Sequence, residues 1–260
     1  MRVINLASGS DGNITYIESE STKLIVDMGL SCSDVVSRLE LIKVDPKDIN
    51  AIIISHEHSD HIKGVDVFSN RYSIPVYAHE NVWNGLDKKL KKVDSKNRKI
   101  FYDIFYINDI EIIPVEVPHD VPCFGFSFKN NNKKISILTD LGHTTNRILD
   151  SVRGSQLIYL EANYDRKMLA EGTKYPLALK RRISGPNGHL SNDDCAEFIK
   201  ELTLSGTRQI VLSHLSEENN EPELAYEYIC SKIAQYGIVE GTHIRIDVAS
   251  RNPGVLFRIN

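Results

Sequence analysis

The amino-acid sequence predicts a mixed α/β protein in which two β-sheets pack together and helices lie outside them. Short apolar stretches with alternating or β-branched residues recur along the whole chain, as expected for strands. These stretches form two blocks, and in each block helical patterns follow strands, which favours two helix-covered sheets. Histidines and aspartates follow several of the strands, at the positions where such a sandwich presents its loops.

The first block begins with alternating residues that predict a three-stranded meander, after which strands and helices alternate. Its predicted strands are residues 3–6, 14–17, 23–27, 52–54 and 75–79, followed by a strand pattern over 99–117. Its predicted helices are residues 34–42 and 61–70.

The second block has more helical patterns between its strands. Its predicted strands are residues 124–129, 135–139, 157–161, 209–213, 243–248 and 255–259. Its predicted helices are residues 165–170, 175–183, 191–203 and 221–236. Because no linker, repeat or low-complexity segment separates the blocks, we expect a single domain over residues 1–260.

Composition excludes several classes of protein. Of the 260 residues, 41% are hydrophobic and 25% are charged, which is ordinary for a globular protein. No apolar stretch suits a signal peptide or a membrane span, and the four cysteines form no CxxC pair, so we expect a cytoplasmic protein with no membrane partner. The net charge of −4 argues against a globally basic nucleic-acid binder, while a local basic patch is still compatible with it.

One stretch concentrates the chemistry of the chain. The apolar run 52–54 leads directly into four potential metal ligands, namely His56, His58, Asp60 and His61. In an extended segment His56 and His58 point to the same face, because side chains alternate. Asp60 and His61 stand where the chain turns into a helix, so one loop can serve two adjacent ions. The alternative is a solvated polar loop, but packing gives no reason for these four residues together.

Three further residues at strand ends, His119, Asp140 and His214, complete a set of seven candidate ligands. Imidazoles and carboxylates suit divalent zinc, manganese or iron. Seven ligands are sufficient for two ions if one carboxylate bridges them. Two such ions activate a shared hydroxide and clamp the oxygens of an in-line displacement at phosphorus.

The residues His56 to His61 match the HxHxDH signature of the metallo-β-lactamase superfamily, and Asp27, His119, Asp140 and His214 follow the order that this superfamily uses. The resemblance implies a four-layer αββα sandwich with the site along one edge. It also implies a role for each ligand. The first metal would be held by His56, His58 and His119, the second by Asp60, His61 and His214, with Asp140 bridging and Asp27 orienting the signature loop.

Four other segments resemble the YycJ/WalJ group, a compact relative of the β-CASP nucleases. They are SGSDGN (8–13), EANYD (161–165), GHLSN (188–192) and SHLS (213–216). This resemblance implies a metal-dependent exonuclease acting on DNA, with Asp60 and His189 as catalytic residues. His189 would stabilise charge on phosphorus or protonate the leaving oxygen. The alternative is a loop histidine before a helix capped by Ser191.

The chain departs from β-CASP enzymes because residues 140–214 are too few for their large inserted domain. Candidate substrate contacts must therefore come from elsewhere: Ser8, Ser10, Asn13, Asn163, Lys180, Arg181 and Arg182, together with the basic run 88–99. Each has a structural alternative. The glycine turn 8–13 can be a turn without any binding role, and the side chain of Asp11 argues against its binding phosphate there. The basic run can be a solvated face. Asn163 or Asp165 can cap a helix.

The leading functional hypothesis is a dinuclear metal-dependent phosphodiesterase, most specifically an exonuclease on double-stranded DNA. The same site also suits a hydrolase of a small thioester or of a small or cyclic phosphodiester. A third hypothesis, from a different class, is a non-catalytic regulatory protein on this scaffold, although binding alone has no need of seven ligands.

Overall fold

The computed structural model describes residues 1–252 and 256–258. The chain forms two compact units. Unit 1 comprises Met1–Ile113, Lys129–Asn131 and the described part of Ser250–Asn260; unit 2 comprises Pro114–Phe128 and Asn132–Ala249.

The strands are β1 (Arg2–Ala7), β2 (Ile14–Glu18), β3 (Lys23–Val26), β4 (Ala51–Ile53), β5 (Val76–His79), β6 (Arg98–Phe101), β7 (Phe105–Ile107), β8 (Ile110–Val117), β9 (Cys123–Asn130), β10 (Lys133–Leu138), β11 (Leu157–Glu161), β12 (Gln209–Ser213), β13 (Arg245–Val248) and β14 (Leu256–Arg258). The α-helices are α1 (Cys32–Leu41), α2 (Ser59–Ile62), α3 (Val65–Tyr72), α4 (Glu80–Lys89), α5 (Asn146–Val152), α6 (Arg166–Glu171), α7 (Leu177–Ile183), α8 (Asn192–Leu204) and α9 (Pro222–Ala234). Short 3₁₀ helices cover Pro46–Asp48 and Ser95–Asn97.

The sheet of unit 1 has the order β14-β1-β2-β3-β4-β5-β6. Pairing is antiparallel from β14 to β3 and parallel from β3 to β6. Val26, the last residue of β3, pairs with Ile53, the last residue of β4. The segments that follow these two strands therefore leave the sheet at the same edge, which places Asp27 beside the histidine-rich loop.

Unit 2 contains strands in the order β13-β12-β11-β10-β9-β8. The strands β10 to β13 are parallel, and the register pairs Leu138 with Leu160 and Glu161 with Ser213. Their carboxyl ends therefore meet at one edge, where Asp140, Glu161 and His214 emerge. Both faces of β11 and β12 are apolar and buried, as expected for strands inside a parallel sheet. The face that carries Ile158, Leu160 and Ile210 packs against α5, α8 and α9.

The mixed α/β class with two sheets is confirmed. The prediction of one helix over 61–70 is wrong, because the N–H of Gly64 bonds to the carbonyl of Met28 and separates α2 from α3. Two helices were also missed: α4, whose last two residues begin the basic run 88–99, and α5 after Thr145. The predicted strand 255–259 is observed over Leu256–Arg258, and its first and last residues lie outside the described residues. The single domain over 1–260 stays a prediction.

No helix among the described residues combines the length and the apolar character needed to cross a membrane.

Candidate metal centre

In unit 1, one buried carboxylate organises the histidine-rich loop after β4. Asp27 accepts hydrogen bonds of 2.8 Å from the backbone N–H of Ser55, from the hydroxyl of Ser55 and from Nδ1 of His61. Because the Ser55 hydroxyl donates its proton to Asp27, it accepts from Nδ1 of His56, 3.0 Å away. Asp27 thus orients His61 directly and His56 through Ser55.

The four ligands predicted in this loop lie together. The ring centroids of His56 and His61 are 4.1 Å apart, and those of His56 and His58 are 4.6 Å apart. Both His56 and His61 are fully buried. The side-chain amide nitrogen of Asn13 lies 3.1 Å from Nε2 of His61 and 3.4 Å from Oδ2 of Asp60, so Asn13 belongs to the same cluster.

A close backbone contact holds this loop in place. The carbonyl of Asp60 accepts from the N–H of Asn13 at 2.8 Å, and the carbonyl of His61 accepts from the N–H of Met28 at 2.7 Å. A Cβ atom at Gly29 would lie 1.7 Å from the Asp60 carbonyl oxygen. Only glycine therefore allows the segment after β3 to approach the ligand loop this closely.

In unit 2, a second buried carboxylate, Glu161, also accepts hydrogen bonds from histidines. Oε1 of Glu161 accepts from Nδ1 of His189 at 2.7 Å and from Nδ1 of His214 at 3.0 Å. Oε2 accepts from the backbone N–H of Leu141 at 2.8 Å and of Leu190 at 3.4 Å. Glu161 is completely buried. One side chain therefore fixes two imidazoles and the two loops that follow Asp140 and His189.

Asp140 completes the cluster of unit 2. One ligand atom each from Asp140, Glu161, His189 and His214 lie within 4.8 Å of one another. Oδ1 of Asp140 is 3.5 Å from Nε2 of His214 and 3.8 Å from Nδ1 of His189. His119, also in unit 2, donates from Nδ1 to the carbonyl of Gly188 at 3.2 Å.

The charges of Glu161 and His189 stabilise each other. Burial by itself raises the pKa of Glu161, but the charges and hydrogen bonds of His189 and His214 outweigh burial and lower this pKa to about 2. Burial by itself lowers the pKa of His189, but the charge and hydrogen bond of Glu161 outweigh it, and this pKa is raised. The pair is therefore an anionic carboxylate beside an imidazole that holds its proton more tightly than usual.

Three of the predicted site residues have left-handed backbone conformations. Asp27, Asp140 and His214 have φ angles of 57°, 58° and 56°, and each follows the end of a strand. Residues other than glycine rarely adopt this region, although aspartate and histidine do so more often than most. Such strained residues concentrate at functional sites, where the surrounding structure holds them in place.

The arrangement of the histidines fits a divalent metal. His56, His61, His119 and His214 each engage Nδ1 with a hydroxyl, carboxylate or carbonyl of the protein. A partner on one ring nitrogen fixes the tautomer and leaves the other nitrogen oriented to bind a metal ion, as in metal-binding histidines. Asp60 in unit 1 and Asp140 in unit 2 add carboxylate oxygens, so each unit by itself offers nitrogen and oxygen donors of the kinds that suit zinc, manganese or iron.

Comparison with known proteins agrees with this chemistry. A model of the beta-lactamase superfamily domain matches residues 24–215. The chain belongs to the metallo-β-lactamase superfamily. Among curated members it is 36% identical over 245 residues to the exodeoxyribonuclease YycJ of Bacillus anthracis, covering 93% of this chain and 92% of the relative. It is 39% identical over 247 residues to the exodeoxyribonuclease WalJ of Streptococcus pneumoniae, covering 93% and 91%.

The fold agrees with solved structures of the metallo-β-lactamase superfamily. The chain superposes on the metallo-β-lactamase fold protein YhfI from Bacillus subtilis with a TM-score of 0.76 and 16% identity, covering 98% of both chains. A similar match, with a TM-score of 0.75 and 13% identity, covers all of both chains for Zn²⁺-bound PqqB from Methylobacterium extorquens.

The candidate substrate contacts in the glycine turn have different environments. Ser8 is buried and Ser10 is exposed. Asn13 is also buried, and its side chain closes the turn by donating to the carbonyl of Gly9 at 3.0 Å and accepting from the N–H of Gly9 at 3.1 Å. Asn13 therefore supports the turn and the ligand loop, while Ser10 is the member of this group that faces solvent.

The basic run 88–99 is partly neutralised within unit 1. Three of its cations form ion pairs with acids: Lys89 with Glu57 at 3.2 Å, Arg98 with Asp87 at 2.7 Å and Lys96 with Asp94 at 3.2 Å. Two of these acids, Glu57 and Asp87, lie outside the run and could not be paired with it from sequence. The local excess of positive charge is therefore smaller than the sequence suggests.

The three cations of α7 also differ. Arg182 forms an ion pair with Asp120, 2.7 Å from its Nε. Lys180 donates to the carbonyl of Ala170 at 2.7 Å. Arg181 has no side-chain hydrogen bond or ion pair with any residue that the structure describes. Arg181 is therefore the cation of this helix most accessible to a phosphate group.

The segment 161–165 supports the site through two side chains. The amide of Asn163 donates to the carbonyl of His214 at 2.8 Å, so this residue stabilises the last ligand loop. Asp165 accepts from the N–H of Met168 and caps α6, which is the structural alternative given above.

Sequence reasoning missed Glu161 and Ser55 as members of the site. Glu161 is the last residue of an apolar strand, LIYLE, which is the same signal that identified Asp140 and His214. A carboxylate at the buried end of such a strand needs partners, and that argument would have found it. Ser55 gave no signal, because a serine next to a turn is common.

Proposed function

We propose that this protein is a metal-dependent exonuclease that degrades double-stranded DNA in the cytoplasm. The observation that carries the proposal is the His189–Glu161 pair, which stands in one cluster with Asp140 and His214. In this cluster an imidazole that Glu161 orients lies beside two predicted metal ligands, which supports a role in proton transfer to the leaving oxygen of a phosphodiester. The two relatives named exodeoxyribonucleases, which match 93% of the chain, support the same assignment.

We assign the metal ligands as the superfamily signature implies. His56, His58 and His119 would hold one divalent ion, Asp60, His61 and His214 the other, and Asp140 would bridge them. The ions are zinc, manganese or iron. When bound, they supply Lewis acidity toward the phosphodiester and activate the attacking water.

The residues of the chain then orient the reactants and transfer a proton. Asp27 keeps Nδ1 of His61 engaged, and Glu161 does the same for His214, so each ligand nitrogen is held in one direction. Glu161 also engages Nδ1 of His189, whose side chain is 22% exposed. The opposite ring nitrogen of His189 is then the atom that donates a proton to the leaving oxygen.

End-labelled duplex DNA tests this assignment. Wild-type protein with Mn²⁺ should release mononucleotides progressively from an end, as measured on denaturing gels. Asp60→Ala should abolish the release, because it removes a predicted ligand, while circular dichroism should show an unchanged fold. The exposed substitution Lys167→Ala is a suitable control and should leave the rate unchanged.

Two outcomes would favour the other hypotheses. Turnover of a small thioester or of a cyclic phosphodiester, without any cleavage of DNA, would identify a small-molecule hydrolase. Unchanged function of Asp60→Ala in cells would identify a regulatory protein that needs no catalysis.

A further inference from the structure

Unit 2 contains a cavity of about 540 Å³ that is lined by none of the predicted metal ligands and not by His189. Its walls come from the segment before α6, from α6 and α7, and from the first turn of α8. The volume lies within the range of about 300–1,000 Å³ that is usual for small-ligand sites. The cavity is therefore large enough for one nucleotide.

The charges around the cavity favour an anion. Arg166 donates to both carboxylate oxygens of Asp194, at 2.9 and 3.0 Å, so these two lining residues neutralise each other. The other charged residues of the wall are Lys180 and Arg181. As described above, Arg181 has no side-chain partner among the described residues. The net charge of the wall is positive, which suits a phosphate group.

The remaining wall is largely apolar. Leu169, Ala170 and Leu177 line it, together with Tyr164. None of the residues of α7 is buried, and Leu177 is 62% exposed. A leucine exposed beside a cationic cavity offers an apolar surface to a flat, partly apolar group. A nucleotide combines such a group, the base, with a phosphate.

The cavity wall is joined to the loop that carries His189. Tyr164 pairs with Ser191 in an isolated bridge, and its carbonyl accepts from the N–H of Asn192 at 2.9 Å. At the end of α7, Ser184 lines the cavity, and the neighbouring Ile183 carbonyl accepts from the N–H of His189 at 2.8 Å. A ligand in the cavity would therefore contact the two segments that flank the His189–Glu161 pair.

We propose that this cavity binds one nucleotide of the DNA strand, at a position away from the bond that is cleaved. Arg181 and Lys180 contact its phosphate, and Leu177 and Leu169 contact its base. This subsite rests on the proposed nuclease function and specifies how part of the substrate is held. The subsite should favour a DNA strand over a small phosphodiester as substrate, because only a strand is long enough to extend from the metal ligands into the cavity.

Two substitutions test the subsite by independent means. Arg181→Ala removes the phosphate contact, and Ala170→Phe fills the cavity without changing charge. Their matched controls are Lys167→Ala and Ala178→Phe, which alter neighbouring exposed positions outside the cavity wall. For each protein with Mn²⁺, kcat and KM are measured on a 20-base-pair duplex and on bis(p-nitrophenyl) phosphate. Both cavity variants should lower the preference for DNA over the small diester. The decrease for Arg181→Ala should be about tenfold, the loss expected for one charged contact.

A binding measurement separates charge from shape. Fluorescence anisotropy with labelled duplex DNA, in the Asp60→Ala background, gives Kd as a function of salt. Arg181→Ala should reduce the slope of log Kd against log salt by about 0.9, because one phosphate contact is lost. Ala170→Phe should weaken binding at every salt concentration and leave the slope unchanged.

The outcomes are distinguishable. If the wild type cleaves DNA and both cavity variants behave like their controls, the subsite is wrong and the nuclease function stands. If the wild type hydrolyses the small diester but neither binds nor cleaves DNA, the nuclease function itself fails. An equal loss on both substrates would show a general effect on the site and would also contradict the subsite.

Discussion

Each unit contains a buried carboxylate that fixes histidines, and the two carboxylates do so differently. In unit 1, Asp27 holds His61 directly and His56 through the hydroxyl of Ser55. In unit 2, Glu161 holds two imidazoles directly and also accepts from two backbone N–H groups. Both arrangements achieve the same result, because each engages Nδ1 and leaves the orientation of the ring fixed.

The difference lies in how far apart in sequence the oriented residues are. The candidate ligands of unit 1 come from one short loop, whose backbone already restricts them. The residues around Glu161 come from three separate segments, which are the ends of β10 and β12 and the loop between α7 and α8. Glu161 accepts from side chains or backbone N–H groups of all three. Unit 2 should therefore depend more strongly on its carboxylate than unit 1 does.

The largest effect should come from removing the divalent metal that the oriented histidines are proposed to bind. Dialysis against a chelator should reduce hydrolysis of duplex DNA to background, and added Mn²⁺ or Zn²⁺ should restore it. The metal-free protein should also unfold more easily, by about 3 kcal/mol if the metal had been present at 100 times its Kd. Calorimetry with and without metal measures this shift. Full activity after complete removal of metal, checked by elemental analysis, would contradict the role given to both clusters.

The next effect compares the two carboxylates directly. Glu161→Gln and Asp27→Asn keep the shape of each side chain but replace one accepting oxygen by an NH₂ group, which cannot accept from Nδ1. Loss of such a partner usually costs 10- to 100-fold in metal affinity or activity, an order-of-magnitude range of about 1–3 kcal/mol. Glu161→Gln should lie at the upper end and Asp27→Asn at the lower end, because Glu161 holds two imidazoles directly.

Metal titration followed by DNA hydrolysis measures this pair of variants. Glu18→Gln is a suitable control, because Glu18 forms a half-buried ion pair with Arg2 and is hydrogen-bonded to no imidazole among the described residues. Equal losses for Glu161→Gln and Asp27→Asn would show that the number of oriented imidazoles does not determine the effect.

The comparison also explains what the sequence could predict. The candidate ligands of unit 1 could be predicted because a contiguous motif needs no knowledge of the fold. Asp140 and His214 were predicted because each follows an apolar strand. Glu161 follows the same rule, but its function appears only when the register places it beside Ser213 and next to His214. Pairwise contacts of this kind depend on tertiary structure and are not encoded in local pattern.

The fold class and most strands were predicted for a similar reason, since apolar alternation is a local signal. The errors occurred where tertiary contacts override it. Gly64 interrupts a continuous helical pattern because its N–H bonds to Met28, a residue of another segment. The helix α4 was missed because its basic end suggested a solvated run, whereas Trp83 and Leu86 bury its other face.

A smaller effect concerns the glycines beside each cluster. A Cβ atom at Gly29 would lie 1.7 Å from the carbonyl oxygen of Asp60, and one at Gly188 would lie 2.1 Å from the carbonyl oxygen of Ile183. Both contacts are with backbone, which cannot move aside easily. Gly29→Ala and Gly188→Ala should each destabilise the protein by about 1–3 kcal/mol, as overpacking does.

The activities of these two variants should separate the clusters. Gly29→Ala displaces the loop of Asp60 and should weaken metal binding. Gly188→Ala displaces His189 and the carbonyl that accepts from Nδ1 of His119, so it should lower kcat and should weaken metal binding less than Gly29→Ala does, because it disturbs only one predicted ligand. Gly154→Ala is the control for a glycine-to-alanine change without a clash, because no atom lies within 4 Å of the added Cβ. Gly154 is left-handed (φ 77°), unlike Gly29 and Gly188, so any loss of stability in this control comes from backbone strain and not from overpacking. A loss of metal affinity in Gly188→Ala as large as in Gly29→Ala would contradict the separation.

The smallest effect should come from a carboxylate that accepts several hydrogen bonds but none from an imidazole. In unit 1, Asp109 accepts from the hydroxyls of Ser19 and Thr22 and from the amide of Asn130. Burial by itself raises the pKa of Asp109, but the hydrogen bonds from Thr22 and Ser19 outweigh it and lower this pKa to about 2. A lowered pKa means that the charged form stabilises the folded state at neutral pH.

Asp109→Asn should therefore destabilise the protein by about 1 kcal/mol at pH 7, since one accepting oxygen is lost at an exposed position. The difference from wild type should be constant above the unfolded pKa of about 4 and should disappear as the pH falls toward 2. Urea denaturation at several pH values measures it. Metal affinity and DNA hydrolysis should not change, because Asp109 orients no ligand. A loss of activity similar to that of Asp27→Asn would show that carboxylates in unit 1 act through general stability and not through the imidazoles they hold.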